Sequence, residues 1–211
     1  MTEKLFYQDG YRREFQAKVL SCEPAGDMYK AVLDGTAFFP EGGGQYGDVG
    51  WLDDAEVVDT REKDGLIYHM VTSPLEAGSV VTGRLNWEVR FDRMQQHTGE
   101  HIISGLVHSR FGYDNVGFHL GEDYCTMDFN GPITKEELKE IELEANRAVF
   151  ANLKVGITYP TKEELAVLEY RSKIEIEGQV RIITVPGYDV CACCAPHLGS
   201  TGEIGLIKLV H

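Results

Sequence analysis

Residues 97–101 read "HTGEH" and residues 191–200 read "CACCAPHLGS", so two stretches far apart in the chain each carry metal-ligating side chains four residues apart. On a helix, positions i and i+4 share a face, and His97 and His101 can aim their ring nitrogens at one point. Two imidazoles are half of a tetrahedral site. The Cys193 and His197 pair offers the other half, a thiolate and an imidazole whose borderline softness suits zinc. Cys191 and Cys194 could replace Cys193 on chemistry alone. A fold that joins the two pairs must bring a helix from the middle of the chain to a segment near residue 200.

Five cysteines, three of them crowded into "CACC", are an odd number and make a poor disulfide framework. Clustered thiols fit a reducing compartment, and "MTEKLFYQDGYRREF" lacks the basic start and apolar stretch of a signal peptide. No apolar run approaches the roughly 18 residues of a membrane span. The expected location is therefore the cytoplasm. With 211 residues the chain can bury a sizeable core. Its formal charge of −14 argues against coating a nucleic-acid backbone, while leaving room for a local contact with one RNA end at modest, salt-sensitive affinity.

The expected fold class is α+β. Up to about residue 85 the chain shows short β-type runs broken by turn signals such as "EPAGD" and "EKDG", which predicts a small antiparallel, barrel-like β domain over residues 1–86. Helical spacing then predicts a helix over 93–111, with Asp92 and Gln95 as a capping box. "NVGFHL" and "YCTMDF" read as a hairpin. Thr134 and Glu137 open a second long helix, and Thr161 and Glu164 a shorter one. "QVRIITV" and "IGLIKLV" read as strands, completing a second domain over residues 87–211.

"HTGEH" also satisfies HxxEH, in which a Glu acts as general base beside two His ligands, so a zinc metalloprotease or amidase is a competing reading. It leaves the Cys193 and His197 pair without a role. Glu100, three residues after His97, is the candidate catalytic residue, able to position water or hold a ligand; its bland reading is an exposed helix acid. "GGGQ" at residues 42–45 lacks the Lys of a phosphate-binding loop and suits a turn or a loop laid over a pocket. His69 and His108 have no partner motif and read as structural or exposed.

Taken together, "RMQQHTGEHIISGL", "CCAPHLGSTGEIGLIKLV" and "TAFFPEGGGQYGDVGWL" resemble the alanyl-tRNA synthetase editing domain and its free-standing relatives, the AlaX proteins of the longer, two-domain type. The threonyl-tRNA synthetase editing domain shares the two ligand pairs but lacks the glycine-rich segment. The resemblance implies a two-layer α/β editing domain with long helices on an antiparallel sheet, and zinc held by His97, His101, Cys193 and His197. It implies hydrolysis in trans of mischarged alanine-specific tRNA, carrying serine or glycine, with Thr36, Gln45 and His119 as substrate-binding candidates. A site that hydrogen-bonds the serine hydroxyl would spare alanine. The tRNA acceptor end is the implied partner, with Arg90, Arg93, Lys135, Arg171, Lys173 and Arg181 as the nearest basic residues. Cys194 and Ala195 stand where the family usually has small residues, and the family fold runs on for at least one more strand past "IGLIKLV". A catalytically inert zinc module that binds tRNA is the third reading.

Overall fold

The computed structural model describes residues 2–121, 124–172 and 178–210. The chain divides into two compact units, Met1–Arg93 and Met94–His211.

The first unit holds β1 (Glu3–Lys4), β2 (Glu14–Ala25), β3 (Met28–Leu33), β4 (Gly35–Thr36), β5 (Gly50–Leu52), β6 (Ala55–Lys63), β7 (Leu66–Val71) and β8 (Val80–Leu85). Six of them close into an antiparallel barrel in the order β2-β3-β7-β6-β5-β8. The alternation of β2 explains the inside: Phe15, Ala17 and Val19 are buried while Glu14, Gln16 and Lys18 are exposed. They pack with Leu33, Phe38, Leu52, Val57 and Val71. Each large side chain so buried contributes about 1.5–3 kcal/mol. Hairpin turns fall at "EPAGD" and "EKDG", as the turn residues predict.

"GGGQ" is a tight turn. Gly42 and Gln45 exchange backbone hydrogen bonds of 3.0 and 3.1 Å, and the central Gly43 and Gly44 have φ of +62° and +82°. Two successive positive φ values define the hairpin turn that glycine accepts at no steric cost. The turn is anchored beyond its end by Asp48, whose Oδ2 accepts from Phe39 N–H at 2.6 Å and from Arg90 Nε at 2.8 Å.

After β8 come α1 (Trp87–Phe111), β9 (Asn115–Leu120), β10 (Cys125–Phe129), α2 (Lys135–Ala151), β11 (Gly156–Thr158), α3 (Lys162–Leu165), β12 (Ile182–Val185) and β13 (Asp189–Ala192). β9 and β10 form the expected hairpin, and β11-β12-β13 a separate antiparallel sheet. Helix α1 starts at Trp87, earlier than predicted. Asn86 caps it, its Oδ1 accepting from Val89 N–H at 3.4 Å and its carbonyl from Arg90 N–H at 3.0 Å; Asp92 lies within the helix. Both predicted capping boxes, Thr134 with Glu137 and Thr161 with Glu164, are formed.

"IGLIKLV" is not a strand. Gly205 turns the chain at φ +83°, and the following backbone is claimed by side chains of α2: Ile207 N–H donates to Asn146 Oδ1 at 3.0 Å, Asn146 Nδ2 donates to Ile207 O at 2.8 Å, and Leu209 N–H donates to Glu142 Oε2 at 2.7 Å. Among the described residues, no helix is long and apolar enough to cross a membrane.

Candidate metal centre

Helix α1 presents His97 and His101 one turn apart, each 2% exposed. The chain leaving β13 presents Cys193 and His197, and the ligand atoms of all four lie within 4.8 Å of one another. Cys193 Sγ is 3.6 Å from His97 Nε2 and 3.4 Å from His197 Nε2. A tetrahedral zinc ion with Zn–S of about 2.3 Å and Zn–N of about 2.0–2.1 Å sets its sulfur and nitrogen ligands about 3.5 Å apart. The four residues therefore fit a metal in both donor type and spacing. Cys193 is the thiol that joins the three histidines; Cys194 is exposed, and Cys191 groups with His101 and Asp189 instead.

Each ligand is held from behind. His101 Nδ1 is 2.9 Å from Asp189 Oδ2. Arg171 grips the same carboxylate in a fork, Nε to Oδ1 at 2.7 Å and Nη2 to Oδ2 at 3.0 Å. His197 Nδ1 is 3.1 Å from Thr98 Oγ1, which also accepts from Leu198 N–H at 3.1 Å. Arg181 Nη1 donates to the carbonyls of Cys193 and Ala195, both at 2.8 Å, fixing the backbone of the second ligand pair. His97 packs its ring 4.9 Å from that of Phe118.

Gly105 makes the Asp189 contact possible. It lies one turn beyond His101, and a Cβ there would sit 2.1 Å from Tyr188 O and 2.9 Å from Asp189 Cβ. Only glycine lets the turn before β13 approach α1 so closely.

Burial alone would raise the Cys193 thiol, but His97 and His197 outweigh it and hold the thiol well below its ordinary range. Burial pushes His197 down to about 3, aided by the charge of His101. His101 goes the other way, up to about 10, because its bond to Asp189 and the nearby Cys193 overcome burial. Asp189 is lowered despite burial by its bonds to His101 and Arg171, whereas burial pushes Cys191 up to about 12. The centre thus favours a thiolate at Cys193 and a neutral thiol at Cys191.

Glu100 is buried, 3% exposed, rather than an exposed helix acid. Its Oε1 accepts from Ser104 Oγ at 2.7 Å and Asn115 Nδ2 at 2.6 Å, and its Oε2 lies 3.8 Å from His101 Nε2. His119 is exposed and alternates with Phe118 along β9, so the strand turns Phe118 to the histidines and His119 to the opposite face. Thr36 and Gln45 belong to the first unit, and both are buried. Thr36 Oγ1 is 2.8 Å from His69 Nε2 and accepts from Phe38 N–H at 3.1 Å.

Three of the basic residues expected to meet RNA are spent inside the protein. Arg90 is 1% exposed and paired with Asp48, Arg171 is paired with Asp189, and Arg181 is buried on its two carbonyls. Arg93 donates to Gly47 O at 2.8 Å, Lys135 is exposed, and Lys173 lies outside the described residues. Sequence reasoning missed Asp189, Arg171 in its ion-pairing role, Thr98 and Phe118. The period of two along β13 places Asp189 and Cys191 on one face, but nothing local pairs either of them with His101.

Residues 180–211 match the family model described as the threonyl and alanyl tRNA synthetase second additional domain. The whole chain is 36% identical over 220 residues to alanyl-tRNA editing protein AlaX-L of Pyrococcus horikoshii, covering 54% of that protein. It is 31% identical over 98% of its length to alanyl-tRNA editing protein Aarsd1 of Rattus norvegicus, covering 54%. It is 33% identical over 99% of its length to alanine–tRNA ligase of Ignicoccus hospitalis, covering 24%. The chain thus spans about half the length of the editing proteins and about a quarter of the ligase.

Proposed function

The chain resembles the alanyl-tRNA editing family along its whole length, and from that premise we propose that it is an aminoacyl-tRNA deacylase acting in trans on mischarged alanine-specific tRNA. The observation that carries the reading is the cluster of buried His97, His101 and His197 with half-buried Cys193, in a chain whose relatives are named for alanyl-tRNA editing. Serine is the expected amino acid on the tRNA, with glycine as a second, and the acceptor end is the part bound. The expected division of labour is a β domain over 1–86 and the metal-binding editing domain over 87–211.

The reaction is hydrolysis of an ester. Water adds to the aminoacyl carbonyl, the bond to the terminal ribose oxygen breaks, and free amino acid and tRNA leave. Zinc held by His97, His101, Cys193 and His197 would shape the pocket, and would act as a Lewis acid on an oxygen or a water only where one of the four yields its coordination position. Glu100 is the candidate for orienting that water and taking its proton: Ser104 and Asn115 pin one carboxylate oxygen, and the other lies toward the ligand face of His101. His69 Nδ1 is 3.3 Å from Ala31 O, a carbonyl that only accepts, so that nitrogen carries the proton and Nε2 accepts from the Thr36 hydroxyl. A Thr36 hydroxyl so committed can offer a further partner only a lone pair, which suits the O–H of serine. Gln45 is the second proposed substrate contact; His119 draws less support, because β9 turns it away from the face that Phe118 presents to the histidines.

The HxxEH protease reading draws less support, because it leaves the second ligand pair idle while the structure gathers it with the first. The test is release of serine from seryl-tRNA of the alanine type, with glycyl-tRNA and alanyl-tRNA beside it and zinc measured in wild type and Cys193→Ala. Serine release well above alanine release, lost with zinc in the variant, is expected. Zinc with tRNA binding but no turnover would favour the inert module. Glu100→Gln is expected to lower kcat by about 10²–10⁴-fold at unchanged zinc content. Thr36→Val is expected to depress seryl-tRNA hydrolysis while sparing the glycyl reaction.

A further inference from the structure

His101 stands between two groups of side chains. On its Nε2 side are Cys193 and the other histidines; on its Nδ1 side, His101, Asp189 and Cys191 form a second cluster, all buried, with ligand atoms again within 4.8 Å of one another. Imidazole, carboxylate and thiol are a donor set that divalent metals accept. An ion held there would compete with the four-residue centre for the same ring.

Arg171 decides between them. Its guanidinium engages both oxygens of Asp189, and the second oxygen is also bonded to His101 Nδ1 at 2.9 Å. A carboxylate held in this way accepts from His101, which keeps a proton on Nδ1 and leaves Nε2 as the nitrogen that can give up its proton to an ion. A cation brought to the rear cluster would have to displace a guanidinium and sit beside its charge. The backbone that carries Arg171 is fixed as well: its N–H donates to Val190 O at 2.8 Å and its carbonyl accepts from Ala192 N–H at 2.9 Å, tying it alongside β13.

We propose that the Arg171–Asp189 ion pair is the positioning device of the metal centre: it fixes His101 in the tautomer that offers Nε2 to the ion, and by occupying Asp189 it prevents the His101–Asp189–Cys191 cluster from taking a second metal. The proposal rests on the metal reading of the four-residue cluster and is independent of the RNA substrate. It makes Asp189 and Arg171 positioning residues acting through His101.

The test is a titration of the metal-free full chain with Co²⁺, followed by its visible and thiolate absorption bands, with zinc affinity measured by competition against a chelator. Wild type is expected to take one equivalent with a tetrahedral spectrum. Asp189→Asn is expected to lose about 10- to 100-fold in affinity, the range for removing a hydrogen-bonded support of a metal ligand. Arg171→Met is expected to take a second equivalent with its own absorption, and Arg171→Lys, which keeps a cation beside Asp189, to return to one. Unchanged affinity in Asp189→Asn overturns the tautomer role, and a single equivalent in Arg171→Met overturns the blocking role. Should Asp189→Asn fail to fold, the Arg171→Met and Arg171→Lys pair decides. No metal in wild type would overturn the underlying metal reading instead.

Discussion

His69 shows how much a single residue can hide. It has no partner within its own stretch of sequence, yet it is fully buried in the barrel, bonded to Thr36 at 2.8 Å and packed with its ring 5.5 Å from that of Phe38. Burial pushes its pKa from the ordinary 6.5 down to about 4, so the folded protein keeps it neutral. Between those values the unfolded chain binds a proton that the folded chain refuses. Its contribution is therefore complete above about pH 6.5 and is lost as pH falls toward 4, by roughly 3 kcal/mol in all. Urea unfolding at pH 7.5, 5.5 and 4.5 is expected to show His69→Gln with a flatter decline than wild type, and parallel declines would exclude the assignment. The grouping of His97, His101, Cys193 and His197 was readable from sequence because i, i+4 spacing is a local rule, whereas a lone strand histidine carries no local mark of its partner. Asp189 and Arg171 were missed for the same reason, since what defines their roles is contact with residues distant in the chain, Asp189 with His101 across 88 positions and Arg171 with Asp189 across 18.

At the scale of elements, local chemistry was legible and tertiary capture was not. The capping boxes at Thr134 and Thr161 were written in residues three apart, and both helices start where those residues place them. The start of α1 was misplaced because a lone Asn86 cap is a weaker signal than the Asp92 and Gln95 spacing that competes with it. "IGLIKLV" has strand composition but not strand partners, because Asn146 and Glu142 of α2 bond its backbone first. Two glycines of α1 give a matched prediction. Gly105→Ala would drive a methyl to 2.1 Å from Tyr188 O, a backbone atom that cannot swing away, and is expected to cost about 1–3 kcal/mol and weaken zinc binding with it. Gly99→Ala meets only Ile207 at 3.8 Å and is expected to be neutral or to stabilise by up to about 1 kcal/mol through helix propensity. Thermal unfolding of the two variants beside zinc competition separates close approach from mere flexibility.

For the whole molecule, charge limits how the proposed RNA substrate could be held. The chain carries 34 acidic against 20 basic residues, and of the six basic residues nearest the proposed site in sequence, Arg90, Arg171 and Arg181 are consumed as internal braces. Three remain, of which Arg93 already donates to a backbone carbonyl. Each neutralised phosphate contributes a slope of about −0.7 to −0.9 in log K against log salt, so at most about three contacts give a slope no steeper than about −3. Between 50 and 200 mM salt the affinity for an aminoacylated tRNA is thus expected to fall by less than about 100-fold, against about 10³–10⁵ for a protein with 6–10 phosphate contacts. Recognition would then depend on the aminoacyl group and the terminal nucleotide more than on the duplex backbone. Filter binding at stepped salt with charged and uncharged tRNA measures both: a shallow slope with a preference for the mischarged form is expected. A steep slope that is equal for charged and uncharged tRNA would mean that a basic surface other than these six residues grips the RNA.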